Sequence, residues 1–98
     1  MKLVRDKIPQ IIRKSGKYPV VTQVSGDFYK HMLARKVAEE LEEFMQTPCA
    51  EEAGDILEVL YALFESYEIS MKKAEKESII KKEARGGFTC GLVLHAVE

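Results

Sequence analysis

Residues 27–66 read DFYKHMLARKVAEELEEFMQTPCAEEAGDILEVLYALFES and determine the architecture of this 98-residue chain. Apolar residues recur three and four positions apart on either side of a break near Pro48, and this spacing predicts two helices, Asp27–Met45 and Cys49–Ser66. A connection this short permits only antiparallel neighbours. The predicted inward-facing residues are Leu33, Val37, Leu41, Phe44, Ala53, Ile56, Leu57, Leu60, Leu63 and Phe64.

Two further helices are predicted outside this hairpin. One covers Lys7–Ser15, and a lysine-rich one runs from a cap at Ser70 to about Ala84. Within the hairpin, Thr47 is the predicted N-cap of the second helix, and Pro48 is placed in its first turn, where a missing N–H is tolerated.

Two segments are predicted to be extended. Tyr18–Val24 is β-branched in character, Phe88–Val97 follows the glycine pair at 86–87, and we expect the two segments to pair as a small antiparallel β-ribbon. The expected fold is therefore all-α: a bundle of about four helices with this ribbon, forming a single domain over residues 1–98.

Composition excludes several classes of partner. The formal net charge is −1, so the whole chain has no attraction to nucleic acid or to an anionic membrane. No apolar run approaches the roughly 18 residues of a membrane span, and the opening residues lack an apolar signal core, so a cytoplasmic location is expected. Cys49 and Cys90 lack metal-ligand spacing and are expected to be buried and reduced.

Acidic residues cluster on both helices of the predicted hairpin. The patterns are Glu39-Glu40-x-x-Glu43 and Glu52-x-x-Asp55, and each places carboxylates one turn apart on one helix face. Carboxylates brought together repel one another unless a hard cation lies between their oxygens, and Mg²⁺ is the ordinary one. The alternative is a solvated acidic surface that pairs with neighbouring lysines, because glutamate is common in helices.

With these acidic patterns the chain resembles the all-α nucleoside triphosphate pyrophosphohydrolase superfamily, the MazG-like and phosphoribosyl-ATP pyrophosphohydrolase-like enzymes. That family carries E-E-x-x-E followed by E-x-x-D. The opening KLVRDKIP at residues 2–9 and RGGF at residues 85–88 are similar to a small single-domain subgroup. The eight residues between Glu43 and Glu52 form a shorter interval than is common in the family.

The resemblance implies a role for each candidate residue. The implied Mg²⁺ ligands, with Mn²⁺ as a substitute, are Glu40, Glu43, Glu52 and Asp55. The implied catalytic residues are Glu39, Glu40 and Glu43. Glu39 would be a further metal ligand or would hold the attacking water. The implied substrate-binding cations are Lys36, Arg5, Lys7 and Arg85. An ion pair with Glu40 is the alternative role of Lys36. Gly86-Gly87 could let backbone N–H groups approach an anion, and the alternative is that the pair simply ends a helix.

The implied activity is cleavage between the α and β phosphates of a nucleoside triphosphate, which releases the monophosphate and pyrophosphate, in a role such as clearing noncanonical nucleotides. Two alternatives stay open: phosphoribosyl-ATP hydrolysis in histidine biosynthesis, and a non-catalytic helical interaction module. A homodimer or higher homo-oligomer is expected, because one hairpin offers little wall for a nucleotide pocket.

Overall fold

The computed structural model describes residues 1–98 and contains helices only. The helices are α1 (Ile8–Lys14), α2 (Gly26–Gln46), α3 (Ala50–Ser66) and α4 (Met71–Arg85). The predicted all-α class with four helices is confirmed. The predicted β-ribbon is wrong, because residues 18–24 and 88–97 form no strand and do not pair with each other.

The hairpin of α2 and α3 is the main packing unit of the chain. Its turn differs from the predicted one. The N–H of Thr47 donates to the Glu43 carbonyl at 3.0 Å and so completes α2, which leaves Cys49 in the N-cap position of α3. The prediction of Thr47 as the N-cap with Pro48 in the first turn is therefore wrong.

The core of the hairpin is thin. Only Met32, Leu33 and Glu40 are buried, and the apolar residues that face them from α3 are half-buried. Leu41 and Leu57 were predicted to face inward but are about half exposed, 50% and 48%. They lie about 80–100° around their helices from the contact line, and a two-helix contact covers a narrower arc than that.

The remaining elements attach loosely to the hairpin. The predicted cap at Ser70 is confirmed, since its hydroxyl accepts from the Lys73 N–H at 3.1 Å, and α4 then packs on α3 alone. At the other end of α3, the ammonium of Lys30 lies 4.5 Å from the centre of the Tyr67 ring and ties this end to the start of α2.

Both cysteines are free and exposed, so the prediction that they are buried is wrong. Cys49 lies in the hairpin turn, and Cys90 lies in a tight turn after α4, where nothing covers it.

The chain has an elongated shape. Its extents are 60 × 31 × 25 Å and its radius of gyration is 17.7 Å. A compact chain of this length has a radius of gyration of about 13 Å. Each of the four helices is too short or too polar to cross a bilayer.

Candidate metal centre

Three carboxylates meet on one side of the hairpin, near its turn. Glu40 comes from α2, and Glu52 and Asp55 come from the first turns of α3, which lie beside it because the connection is short. One oxygen from each residue lies within 4.8 Å of those from the other two. The N-terminal end of α3 carries partial positive charge, which favours the negative charge of Glu52 in its first turn.

Two of these carboxylates have an oxygen with no hydrogen-bond partner. Oε2 of Glu40 and Oε2 of Glu52 are buried, and no donor of the chain reaches either atom. Glu40 as a whole is only 7% exposed. A buried carboxylate oxygen without a partner is costly, so its presence calls for a cation or a proton at this point.

Lys36 lies on the same side of α2 as Glu40, one turn earlier. Its Nζ lies 3.1 Å from Glu39 Oε1 and 3.2 Å from Glu40 Oε1. Partial burial lowers the pKa of Lys36, but the hydrogen bonds to Glu39 and Glu40 and their charges outweigh burial and raise that pKa overall. The ion pair with Glu40 considered from the sequence is therefore present.

The opening segment of the chain brings two more cations to this group. Arg5 Nη2 donates to Asp55 Oδ1 at 2.7 Å, and Lys2 Nζ lies 3.8 Å from Glu39 Oε1. The Arg5 side chain is largely exposed, so its pair with Asp55 contributes only about 0–1 kcal/mol to folding. A stronger cation can therefore displace Arg5 from Asp55 at little cost.

Glu43 lies at the edge of the group. It is exposed and is not one of the three residues that meet within 4.8 Å. The negative charge of Glu40 and a hydrogen bond with Glu40 nevertheless raise the pKa of Glu43, and Glu52 and Glu39 add smaller effects of the same sign. Glu43 is thus close enough to interact with the cluster as a fourth carboxylate.

The charges of this group do not balance. Five carboxylates, those of Glu39, Glu40, Glu43, Glu52 and Asp55, stand against the three cations Lys2, Arg5 and Lys36. The imbalance is two negative charges, which is the charge that one divalent cation neutralises.

The donor set suits Mg²⁺. All the candidate ligands are carboxylate oxygens, and oxygens that share one Mg²⁺ lie about 3–4.2 Å apart. Glu40, Glu52 and Asp55 therefore need to draw together by up to about 2 Å to share one ion, a movement within the reach of side-chain rotation. The two unpartnered oxygens are the atoms best placed to bind such an ion.

The predicted site residues divide into three groups. The fold brings together Glu40, Glu52 and Asp55 as the tight cluster. It places beside the cluster Glu39, Glu43, Lys36 and Arg5. Lys7 and Arg85 form no ion pair, and Arg85 is the last residue of α4.

One contributor was not predicted. Lys2 shares the opening motif with Arg5, and that motif was the only signal for it. Sequence spacing cannot show which acidic residue a loop lysine reaches.

Comparison with known proteins gives one partial match. An uncharacterized protein of Mycolicibacterium smegmatis (strain ATCC 700084 / mc(2)155) is 49% identical over 41 residues, and this stretch spans 42% of each chain. No protein-family model matches the chain. No solved structure gives a significant match.

Proposed function

We propose that this protein is a Mg²⁺-dependent nucleotide pyrophosphohydrolase that cleaves a nucleoside triphosphate between its α and β phosphates. The observation that carries the proposal is the pair of buried, unpartnered oxygens on Glu40 and Glu52, with Asp55 beside them. Carboxylate-held Mg²⁺ usually shares its remaining positions with water and substrate phosphates. The resemblance in the acidic, opening and RGGF motifs supports the same activity.

Glu40, Glu52 and Asp55 would hold the ion, with Glu43 as a fourth ligand from the edge. Bound there, a divalent ion lowers the pKa of a coordinated water and neutralises phosphate charge. Both ion pairs of Glu39 are made through its Oε1, and its side chain as a whole is 32% exposed. We assign to Glu39 Oε2 the role of accepting the proton of the attacking water.

Arg5 and Lys36 would bind the phosphates. In this structure both of them neutralise carboxylates of the cluster. When a divalent ion takes Asp55, the Arg5 guanidinium is released at the edge of the site, where it can bind phosphate oxygens in a bidentate manner.

A groove beside Arg5 suits the nucleoside. It has a volume of about 690 Å³, within the range of small-molecule sites, and lies between the opening segment, residues 20–24 and the start of α2. Phe28 and Tyr29 are among its lining residues and offer rings for stacking against a base. Arg5 belongs both to this groove and to the cluster, so a nucleotide can span the two.

We further propose that the active form is a homodimer or a larger homo-oligomer. The chain exposes 8858 Å². A folded monomer of this mass exposes about 5,700 Å². The excess of roughly 3,200 Å² is comparable to what obligate partners bury.

The hairpin offers a surface for this assembly. Four small or apolar residues of α2 and four of α3 lie on the side opposite the acidic cluster, and all of them are exposed. This apolar face consists of Ala34, Ala38, Leu41, Met45, Ala50, Gly54, Leu57 and Tyr61. Two such faces packed together would form a four-helix arrangement and leave both clusters outward. The cytoplasmic location expected from the sequence stays a prediction.

The activity is tested with a panel of nucleoside triphosphates, with Mg²⁺ present or removed, by measuring released pyrophosphate. We expect Mg²⁺-dependent pyrophosphate release that Asp55→Asn reduces by at least 100-fold. Glu58→Gln is the control, because Glu58 is on α3 but exposed and outside the cluster. If no nucleotide yields pyrophosphate and Mg²⁺ does not raise the melting temperature, the interaction-module alternative is correct.

Growth of a histidine-requiring strain tests phosphoribosyl-ATP hydrolysis.

A further inference from the structure

Two extended segments of the chain have free backbone groups. Residues 18–24 and 92–98 take part in no backbone–backbone hydrogen bond, and the segment from Phe88 to Gly91 contains only one, from Gly91 N–H to the Phe88 carbonyl. Residues 88–91 form a bend and a tight turn, whereas residues 18–24 and 92–98 present free N–H and C=O groups in the manner of an unpaired strand edge.

The same two segments expose large apolar side chains. Val20 is 99% exposed and Leu92 is 90% exposed, and their neighbours are similar. The other exposed apolar residues of the two segments are Tyr18, Val21, Phe88, Val93, Leu94 and Val97. Extended, β-branched segments of this kind, left open, pair with whatever edge they meet.

We propose that residues 88–97 of one copy pair as a β-strand with residues 18–24 of a second copy, in a reciprocal exchange that adds a wall to the groove beside Arg5. Residues 20–24 already line that groove, and no residue after Met32 does so within one chain. The inference rests on the proposed homo-oligomer and is independent of the proposed chemistry.

Two features favour a second copy as the occupant. Residues 88–97 follow α4, which packs only on α3, so within one chain they lie apart from the groove. The excess surface of roughly 3,200 Å² gives such an exchange ample area, since a standard interface buries about 800 Å² on each partner. Gly86 ends α4 with φ 83°, so the chain leaves the helix there through a conformation that glycine adopts without strain.

The chemistry of the two segments supports antiparallel pairing. Pro19 lacks an N–H and is tolerated when one edge of its segment stays unpaired. In an antiparallel arrangement Lys17, which precedes the first segment, lies near Glu98, which follows the second, so opposite charges meet at that end.

Hydrogen–deuterium exchange of the full-length protein tests this pairing through the amides of residues 20–24. We expect exchange at least tenfold slower than for a free peptide at high protein concentration, with this protection lost on dilution. The variant Leu92→Lys/Leu94→Lys, which places two charges on one face of the segment, should lose it at every concentration. Glu75→Gln/Glu77→Gln on exposed α4 changes the net charge equally and should keep it.

Proline substitution separates backbone pairing from apolar contact. In an antiparallel ladder successive residues alternate in donating to the partner, so single prolines at positions 92, 93, 94 and 95 should give alternating large and small losses of protection. Equal effects at all four positions overturn the pairing.

Two exchange results contradict the inference directly. Unprotected amides at 20–24 at all concentrations exclude the strand. Protection that does not change on dilution shows pairing within one chain. Light scattering decides whether the oligomer itself exists. An oligomer whose amides at 20–24 are unprotected refutes only the strand exchange. A monomer refutes both the strand exchange and the proposed oligomer. None of these experiments measures pyrophosphate release, so failure of the strand exchange is distinguishable from failure of the enzymatic proposal.

Discussion

At the scale of single residues, the state of Glu40 is decisive. It is the one charged residue that the fold buries, and one of its oxygens is held by Lys36 while the other has no partner. A protein gains nothing in stability from such an arrangement alone, because a buried unpaired oxygen costs folding free energy. The proposed cation would remove that cost by binding the free oxygen.

The first residue-scale prediction concerns Glu52→Gln. Removing this charge relieves repulsion near Glu40, so the metal-free variant should be as stable as the wild type or more stable. Saturating Mg²⁺ at about 100 times its Kd should stabilise the wild type by about 2.7 kcal/mol, a rise in melting temperature on the order of 10 °C. The variant should lose this rise, and Glu58→Gln should keep it. Thermal melts with and without Mg²⁺ measure both effects.

Arg5→Ala separates the two proposed roles of the arginine. In the metal-free protein Arg5 competes with the ion for Asp55, so its removal should tighten Mg²⁺ binding, by up to about fivefold for a surface pair of 1 kcal/mol. Turnover should nevertheless fall at least tenfold, because a phosphate-binding cation is lost. Calorimetric titration and pyrophosphate release give the two readings. Arg13→Ala, an exposed change on α1, is the control and should alter neither Mg²⁺ binding nor turnover. Weaker metal binding by Arg5→Ala would contradict the displacement of Arg5 from Asp55 by the ion.

The raised pKa of Glu43 gives a pH dependence with a definite sign. In the unfolded state the pKa of Glu43 is near its ordinary value of 4.5. In the folded, metal-free protein the negative charge of Glu40 raises that pKa, so Glu43 keeps its proton to a higher pH. The contribution of Glu43 to stability is therefore full below that ordinary value and is lost as pH rises through the folded pKa.

Glu43→Gln should therefore be more stable than the wild type at pH 7, and the difference should shrink as pH falls towards 4. Urea unfolding at several pH values, without divalent ions, measures this difference. A difference that grows towards low pH would contradict the assigned cause.

At the scale of elements, the i,i+3 pattern placed each acidic pair on the correct side of its helix, because the rotation of an α-helix is nearly fixed. Helical rotation also predicts that Glu39 is more exposed than Glu43, and this order is wrong. Glu39 is more covered than Glu43, since Lys36 and Lys2 hold it against the cluster. The choice between these neighbours depends on contacts from a loop, and helical periodicity carries no information about that loop.

Leu41 and Leu57 show a second limit of periodicity. Helical periodicity marks the apolar positions of a helix, but it does not identify the element that packs against each position. Both residues were assigned to the contact between α2 and α3, yet both lie on the apolar face that points away from the acidic cluster. The prediction that both residues face inward is therefore wrong.

This face supplies the element-scale prediction. Leu57→Lys should shift the protein from oligomer towards monomer, because a lysine in the centre of a packed apolar face loses its hydration without gaining a partner. Glu58→Gln changes the charge by the same amount at the next position of α3 and should leave the mass unchanged. Light scattering across a concentration series measures the mass. An unchanged oligomer with Leu57→Lys would exclude this face as the contact.

At the scale of the whole molecule, the chain is extended and has little interior of its own. The sequence indicated the four helices, but the β-ribbon that it predicted is absent from the structure. Pairing of distant segments depends on how the whole chain is arranged, whereas a helix depends on neighbours a few residues away. Residues 88–97 follow α4, which packs on α3 alone, and they do not pair with residues 18–24. The radius of gyration of 17.7 Å reflects this open arrangement.

A whole-molecule prediction follows from this thin core. If folding is completed by association, the melting temperature should rise with protein concentration, since binding of a second copy stabilises only the folded state. Scanning calorimetry over a hundredfold range of concentration measures this rise. A melting temperature independent of concentration would mean that the isolated chain supplies its own stability.

The most direct measurement of the central claim is the binding of Mn²⁺, as a paramagnetic substitute for Mg²⁺, followed by electron paramagnetic resonance. We predict saturable binding by the wild type that Mg²⁺ displaces, that Glu40→Gln and Glu52→Gln weaken at least tenfold, and that Glu58→Gln leaves unchanged. Equal binding by all four proteins, or none by the wild type, would contradict a metal centre at the hairpin.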